Sequence, residues 1–260
     1  MKPEEILRQQ RGFLKNDIRD QTDFSQVPRL LGVPAPPLEQ PAEAGQRVVP
    51  LPEWRGAVIP KGTADALVSA RRSLRRIPEE PLTAEELSYL LFMTAGVVRT
   101  AGENVFRAVP SGGNRHSLET YLALTLKAVD AKGEVALEAG LWRYLPLEHA
   151  LVSLGSPENL KDRVDEATNR QTFVARAPAV FFWATRPARA EWRYGQAAHK
   201  AIAFEAGHVC QNLYLACGAV GLGTCAIADY SQRKTDGLLG LDGEEEFVTY
   251  LAPVGRNPYQ

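Results

Sequence analysis

The chain has no excess of charge, no long apolar run and no paired cysteines, and each absence narrows what it does. Lysine and arginine total 30 against 31 acidic residues, a net charge of −1 at pH 7. That balance gives no reason to expect nucleic acid or another polyanion as a partner. No apolar stretch approaches the roughly 18 residues that a membrane helix needs, so no membrane span is expected. The opening Met1-Lys2-Pro3-Glu4-Glu5 is charged and leads into no apolar segment, so no secretory signal is expected either. The three cysteines, Cys210, Cys217 and Cys225, are odd in number and form no CxxC pair. Neither a disulfide framework nor a zinc site is favoured, and a reduced, cytoplasmic protein is the expectation. There is no GxGxxG, no phosphate-loop lysine motif and no internal repeat, so a dinucleotide-binding fold is not indicated.

What is present suits one large core, with 45% hydrophobic residues in a chain of 260. Residues 1–22 are charged and weakly helical. Residues 24–60 carry eight prolines, from Pro28 to Pro60. Proline fixes φ and donates no hydrogen bond, so this stretch reads as an extended arm lying along a surface, or as a disordered leader. A helix is predicted over residues 63–76 with Thr63 as its cap. Another starts at Thr83, where Glu86 completes a capping box, and Gly96 closes it. Strands are predicted from Leu118, from Gly140 and over Glu246 to Val254. The run Ala179 to Ala184 is continuously apolar and reads as a strand buried on both faces. Residues 195–219 give the longest helical pattern, about 37 Å at 1.5 Å per residue. Its many small residues suit close approach of a partner helix, as a central or subunit-interface element. The strands and helices mix without a βαβ rhythm, which argues for α+β.

Three segments carry candidate chemistry. Arg71-Arg72-Ser73-Leu74-Arg75 places three guanidiniums in five residues. On a helix Arg71 and Arg75 share a face and suit bidentate clamping of a phosphate. The same residues also suit a solvated basic helix end. Pro110-Ser111-Gly112-Gly113-Asn114 is a small loop that lets backbone approach a flat ligand, although many such loops are ordinary turns. Gly221 to Ala228 follows the long helix and can present N–H groups to a ring edge, or serve only as a helix end. Together they suggest an anion beside a flat ligand, as in flavin mononucleotide (FMN). Cys210 and Cys217 read as small buried hydrophobes. His208 reads as a satisfied interior residue, His149 and His199 as structural or solvent-facing, and His116 as the one histidine near a motif.

Taken in order, these segments resemble the FMN-dependent nitroreductase-like superfamily, and more narrowly the SagB-type dehydrogenases that oxidise azolines to azoles in ribosomal peptides. The resemblance rests on Arg71 to Arg75, Pro110 to His116 with Leu118 to Tyr121, Phe204 to Leu213, Gly221 to Ile227 and Gly240 to Gly255. It implies an α+β fold with a mixed or antiparallel central sheet flanked by helices. It also implies a homodimer with a long central helix and FMN at the subunit interface. Residues 1–62 would be the proline-rich arm and 63–260 the FMN-binding domain. Arg71, Arg75 and Arg256 would hold the phosphate, with Arg72 and Ser73 nearer the ribityl chain or ring. Pro110, Ser111 and Gly112, with Gly113 and Asn114, would line one ring face, supplied by either subunit. Ala226, Ile227 and Ala228 would face N5 and O4.

Two departures bear on the reaction. The SagB-type branch carries a Lys-Tyr pair before the long helix, whereas here Arg193-Tyr194 stands there. Arginine stays protonated, so Tyr194 would handle a proton or Arg193 would act as an electrostatic clamp. Ala228-Asp229 replaces a position where relatives carry glycine. The implied activity is hydride transfer from an azoline-type or related natural-product substrate to flavin N5, with a peptide substrate delivered by a partner protein. The alternatives are an NAD(P)H-dependent nitro or quinone reductase, and a catalytically weak accessory subunit of a biosynthetic complex.

Overall fold

The protein is described by a computed structural model that covers residues 3–259. Its centre is a seven-stranded sheet. The strands in chain order are β1 (Val48–Pro50), β2 (Leu118–Leu124), β3 (Gly140–Leu145), β4 (Ala150–Gly155), β5 (Ala179–Thr185), β6 (Leu222–Thr224) and β7 (Phe247–Arg256). They lie in the order β1-β4-β3-β2-β5-β7-β6, and every neighbouring pair is antiparallel. The fold is therefore α+β with an antiparallel sheet flanked by helices.

β5 shows why the sheet sits in the middle of the molecule. All seven of its residues are buried. Successive side chains of a strand point to opposite faces. Phe181 and Trp183 enter a core shared with the helices Ala84–Ala95 and Ala198–Ala219. Val180 and Phe182 enter a second core with Val164 and Leu238 from the helices Leu160–Ala167 and Gln232–Leu239. A continuous apolar run is what a strand with helices on both faces requires.

The helix Ala84–Ala95 begins with the predicted capping box. Thr83 Oγ1 accepts from the Glu86 amide at 3.1 Å, and Glu86 Oε2 accepts from the Thr83 amide at 2.8 Å. The long helix runs Ala198–Ala219, preceded by a 3-10 turn at Gly195–Ala197. One face is buried through Ile202, Glu205, Ala206, Val209 and Leu213. The opposite face exposes Ala203, Phe204, Gly207, His208 and Gln211. His208 is thus not an interior residue, because the buried stripe runs through positions 202, 205, 206 and 209 and leaves it on the outer side. Among the described residues no helix is long and apolar enough to cross a membrane.

The proline-rich segment is extended and is fixed to the body by arginines. Arg107 Nη2 donates to Leu38 O at 2.7 Å, Arg115 Nη2 to Pro36 O at 3.1 Å, and Arg143 to Gln40 O at 2.5 Å and Pro41 O at 3.0 Å. Prolines cannot donate, but carbonyls still accept, and a guanidinium supplies five donors. The same segment provides the edge strand β1 and sends Trp54 and Val58 into the main core. Beneath it lies a fully buried ion pair between Arg189 and Glu119, and Arg189 Nη1 also donates to His116 O at 3.1 Å. Glu119 Oε1 accepts in addition from the Gln40 amide at 3.1 Å, which ties the arm to this pair. Removing one partner of such a pair leaves an uncompensated buried charge, so Arg189→Met is expected to cost about 3–5 kcal/mol. Urea denaturation checks this against Thr83→Ala, expected to cost about 1 kcal/mol.

Candidate functional site

The arginine run lies outside the predicted helix. That helix spans Ala64–Ala70 and ends where Arg71 turns to φ −51°, ψ 125°. From there the chain is extended: Ser73 bridges Thr224 in parallel, and the Leu74 amide donates to Thr224 O at 2.9 Å. Pairing with the edge strand β6 has overridden helix propensity. The fit needs Gly223, since a Cβ there would lie 3.1 Å from Leu74 Cβ and closer still to its tip. In an extended segment Arg71, Ser73 and Arg75 share a face, but the two arginines are about 13 Å apart instead of one helical turn. Arg75 is exposed and stands outside the adjoining cleft.

That cleft has a volume of about 370 Å³ and is lined by Arg71, Arg72, Ser73, Tyr214, Thr224 and Asn257 among others. Tyr214, on the long helix, organises it. Its hydroxyl shares a hydrogen bond with Ser73 Oγ at 2.9 Å and accepts from the Ala226 amide at 2.8 Å, while the Arg71 guanidinium stacks 5.2 Å from its ring centroid. Arg72 Nη1 donates to Ser69 O and Arg71 O, so this side chain caps its own helix. Neither Arg71 nor Arg72 has a carboxylate partner among the described residues. Two cations and a hydroxyl around one cleft are a donor set that fits a phosphate. Arg256 is placed differently. It forms an ion pair with Glu86 and donates to Pro81 O at 3.3 Å, outside the cleft that its neighbour Asn257 lines.

The Gly221 to Ala228 segment has less free backbone than expected. The Ala226 amide is held by Tyr214, and the Ile227 amide donates to Leu251 O at 2.9 Å. Ala228 lines a different groove, of about 700 Å³, beside Tyr230, Tyr250 and the outer face of the long helix.

The loop Pro110 to Asn114 stands at the other end of that helix. Pro110 is exposed, and Ser111 Oγ donates to Glu205 Oε2 at 2.7 Å while accepting from the His116 amide at 2.8 Å. Ser117 Oγ also donates to Glu205 Oε2, at 3.2 Å. Burial raises the Glu205 carboxyl above the usual carboxylate range, and the two serine hydroxyls oppose that shift. Gly112 and Gly113 pack on Arg193 and Tyr194. A Cβ on Gly113, where φ is +60°, would lie 2.5 Å from Tyr194 Oη and 2.6 Å from Arg193 Nε. Only glycine therefore permits this approach. Asn114 Oδ1 accepts from His116 Nε2 at 2.8 Å, and Val105 O accepts from the same nitrogen at 2.7 Å. Both partners are acceptors, so Nε2 carries the proton and the buried Nδ1 is bare.

The structure thus gathers Arg71, Arg72 and Ser73 at one place, and Ser111, Gly112, Gly113, Arg193 and Tyr194 at another. Ala201, which touches Gly112, and Tyr214, which binds Ser73, are 13 residues apart on one helix, about 20 Å. Sequence reasoning missed Tyr214 and Glu205. Glu205 was visible as a carboxylate on the apolar stripe of positions 202, 206 and 209. Tyr214 carried no such signal, because its partners are distant in the chain.

The nitroreductase family model matches residues 68–256. The chain belongs to the nitroreductase family. A candidate nitroreductase from Methanocaldococcus jannaschii is 33% identical over 192 residues, covering 74% of this chain and 89% of that protein. The trifolitoxin-processing protein TfxB of Rhizobium leguminosarum bv. trifolii is 27% identical over 145 residues, 54% of this chain but only 37% of that one. Among solved structures, a candidate nitroreductase of Ralstonia eutropha shares 27% identity at a TM-score of 0.64, covering 86% of this chain and 98% of that one. The Escherichia coli microcin synthetase McbBCD complex shares the fold at TM-score 0.59 and 16% identity, covering 76% and 75%. So does a candidate nitroreductase of Exiguobacterium sibiricum solved with FMN, at TM-score 0.54 and 13% identity, covering 77% and 91%. The nitroreductase fold of this chain is the antiparallel sheet and flanking helices described above.

Two outcomes are expected from this geometry. Burial, with Arg107 nearby, lowers the His116 pKa from 6.5 to about 4. The unfolded chain takes up its proton first, so this contribution is fully present above about pH 6.5 and is lost as pH falls toward 4. At pH 5 the loss is about 2 kcal/mol at 1.36 kcal/mol per unit. Denaturation of wild type and His116→Asn, compared at pH 7 and pH 5, isolates it, since asparagine tolerates the positive φ. Tyr214→Phe leaves the Ala226 amide without its acceptor and is expected to cost about 1–2 kcal/mol in the same assay.

Proposed function

We propose that this nitroreductase-family chain is an FMN-dependent oxidoreductase that works as a homodimer. One observation carries the reading: the cationic cleft and the glycine loop lie about 20 Å apart on a single helix, too far for one protomer to close both around one flavin. A second copy packed on the exposed helix face, with Ala203, Gly207 and Phe204, supplies the missing half. Arg71, Arg72 and Ser73 of one protomer would then hold the phosphate and ribityl end. Arg75 and Arg256 would contribute only after leaving solvent and Glu86, respectively. Ser111, Gly112 and Gly113 would line a ring face, with Pro110 and Asn114 at the loop's ends. Ala226, Ile227 and Ala228 would border the ring edge through atoms other than the two committed amides.

Bound FMN would supply a two-electron acceptor. The chain's residues would orient and exclude water. The Gly113 backbone would hold the loop against the Arg193-Tyr194 pair, and the Tyr194 hydroxyl would hold the proton exchanged with substrate. Glu205 would fix Ser111 from below. For the substrate, the likeness to TfxB and to the microcin synthetase complex supports azoline oxidation on a peptide, delivered by a partner protein. The names of the M. jannaschii and R. eutropha proteins support the second reading, an NAD(P)H-dependent nitro or quinone reductase.

The purified protein is expected to carry FMN, with absorbance bands near about 370 and 450 nm. It is also expected to sediment as a dimer. Arg71→Ala with Arg72→Ala is expected to weaken FMN binding by at least about tenfold, the loss of charge-assisted hydrogen bonds, while the dimer persists. A colourless protein that rejects added FMN defeats the reading. Anaerobic mixing with NADPH separates the two substrates: rapid bleaching indicates the reductase, and none indicates the dehydrogenase.

A further inference from the structure

The guanidiniums of Arg115 and Arg29 lie at the Trp192 ring, and among the described residues neither forms an ion pair. The Arg115 guanidinium lies 4.6 Å from the Trp192 ring centroid and that of Arg29 lies 6.0 Å away. Arg193, the next residue, lies over the Tyr194 ring at 5.7 Å with its stem against Gly113. The Arg29 amide donates to Trp192 O at 2.9 Å, so the N-terminal arm delivers this cation to the spot. Arg115 spends Nε and Nη2 on Arg189 O and Pro36 O. Its proton is held less tightly than usual, through burial first and then through the charges of Arg189, Arg193 and Arg29.

The surrounding acids are engaged elsewhere. Glu119 pairs with Arg189, Glu191 with His199, and Glu205 accepts from Ser111 and Ser117. Among the described residues, the side chains of Arg29 and Arg193 have ring contacts but no ion-pair partner. A solvated basic face would let like charges swing apart. Here backbone bonds fix the Arg115 guanidinium and ring contacts place those of Arg29 and Arg193, a grouping of cations that suits an anion.

We propose that Arg193 and Arg29, backed by Arg115, form a binding site for a carboxylate on the substrate. The planar fork of arginine matches a carboxylate, and the Trp192 and Tyr194 rings beside it favour an aromatic or heteroaromatic acid. The assignment rests on the reading of the Ser111–Gly113 loop as a face of the reaction site, because Arg193 lies against that loop. It gives the N-terminal arm a role in recognising substrate.

Calorimetric titration of the purified dimer with benzoate, benzamide and inorganic phosphate tests it. Benzoate is expected to bind about tenfold or more tightly than benzamide and than phosphate, with affinity falling as salt rises. Arg29→Gln and Arg193→Gln are each expected to weaken benzoate about fivefold or more, the loss of one charged hydrogen-bonding partner. Arg29→Gln is expected to leave FMN content unchanged, since Arg29 does not line the cationic cleft. Equal affinity for benzoate and benzamide, tighter binding of phosphate than benzoate, or benzoate affinity unchanged in both variants overturns the proposal. Arginine-dependent benzoate binding by a protein that rejects FMN instead defeats the flavin reading and leaves the anion site standing.

Discussion

The length of one straight helix governs how this protein can work. Ala198–Ala219 spans 22 residues, about 33 Å, and is locked to the sheet by Ile202, Val209 and Leu213. Whatever it carries is held at fixed separation. Glu205, near its start, fixes the glycine loop through Ser111 and Ser117. Tyr214, near its end, fixes the arginine segment and the Ala226 amide. The helix thereby sets the distance between the arginine segment and the glycine loop, about 20 Å from Ala201 to Tyr214.

The second constraint is the arm. Proline deprives it of donors, so it cannot join the sheet along its whole length, and only Val48–Pro50 does so. The body supplies the missing donors instead. Buried Arg107, Arg115 and Arg143 aim at carbonyls from Pro36 to Pro41. Burying a guanidinium is costly unless its donors are used, and those carbonyls together with Glu119 and Glu39 offset the cost. The arm and the arginines therefore depend on each other: without the arm, three buried cations would lose acceptors at once.

Much of this was legible where the signal was local. The capping box at Thr83 and Glu86, the apolar strand at 179–185 and the helix after Gly195 each follow from spacing within a few residues. The arginine run was not, because its conformation is decided by Thr224, some 150 positions later. Good helix formers at 71–76 lost to a strand edge and to the packing of Leu74 and Ile77 on Gly223 and Gly255. His208 was misplaced for a related reason: periodicity finds the stripe, but only the packed sheet decides which flank it covers. The sequence placed Arg193 and Tyr194 at the mouth of the long helix and the glycine loop elsewhere. Their meeting at Gly113 is a tertiary fact, as is the company of Arg29 and Arg115 around Trp192.

The packing of residues 73 and 74 on β6 has one more consequence. A sheet of seven antiparallel strands has two outer edges, and an open edge recruits strands from other molecules. At one edge β6 is short, and Ser73 with Leu74 takes up its free backbone groups at Thr224. At the other, β1 has three residues and ends in Pro50, which has no donor to offer. Both sides of the sheet are blunted against growth into a larger sheet. Copies of this chain are thereby steered away from fibrous stacking.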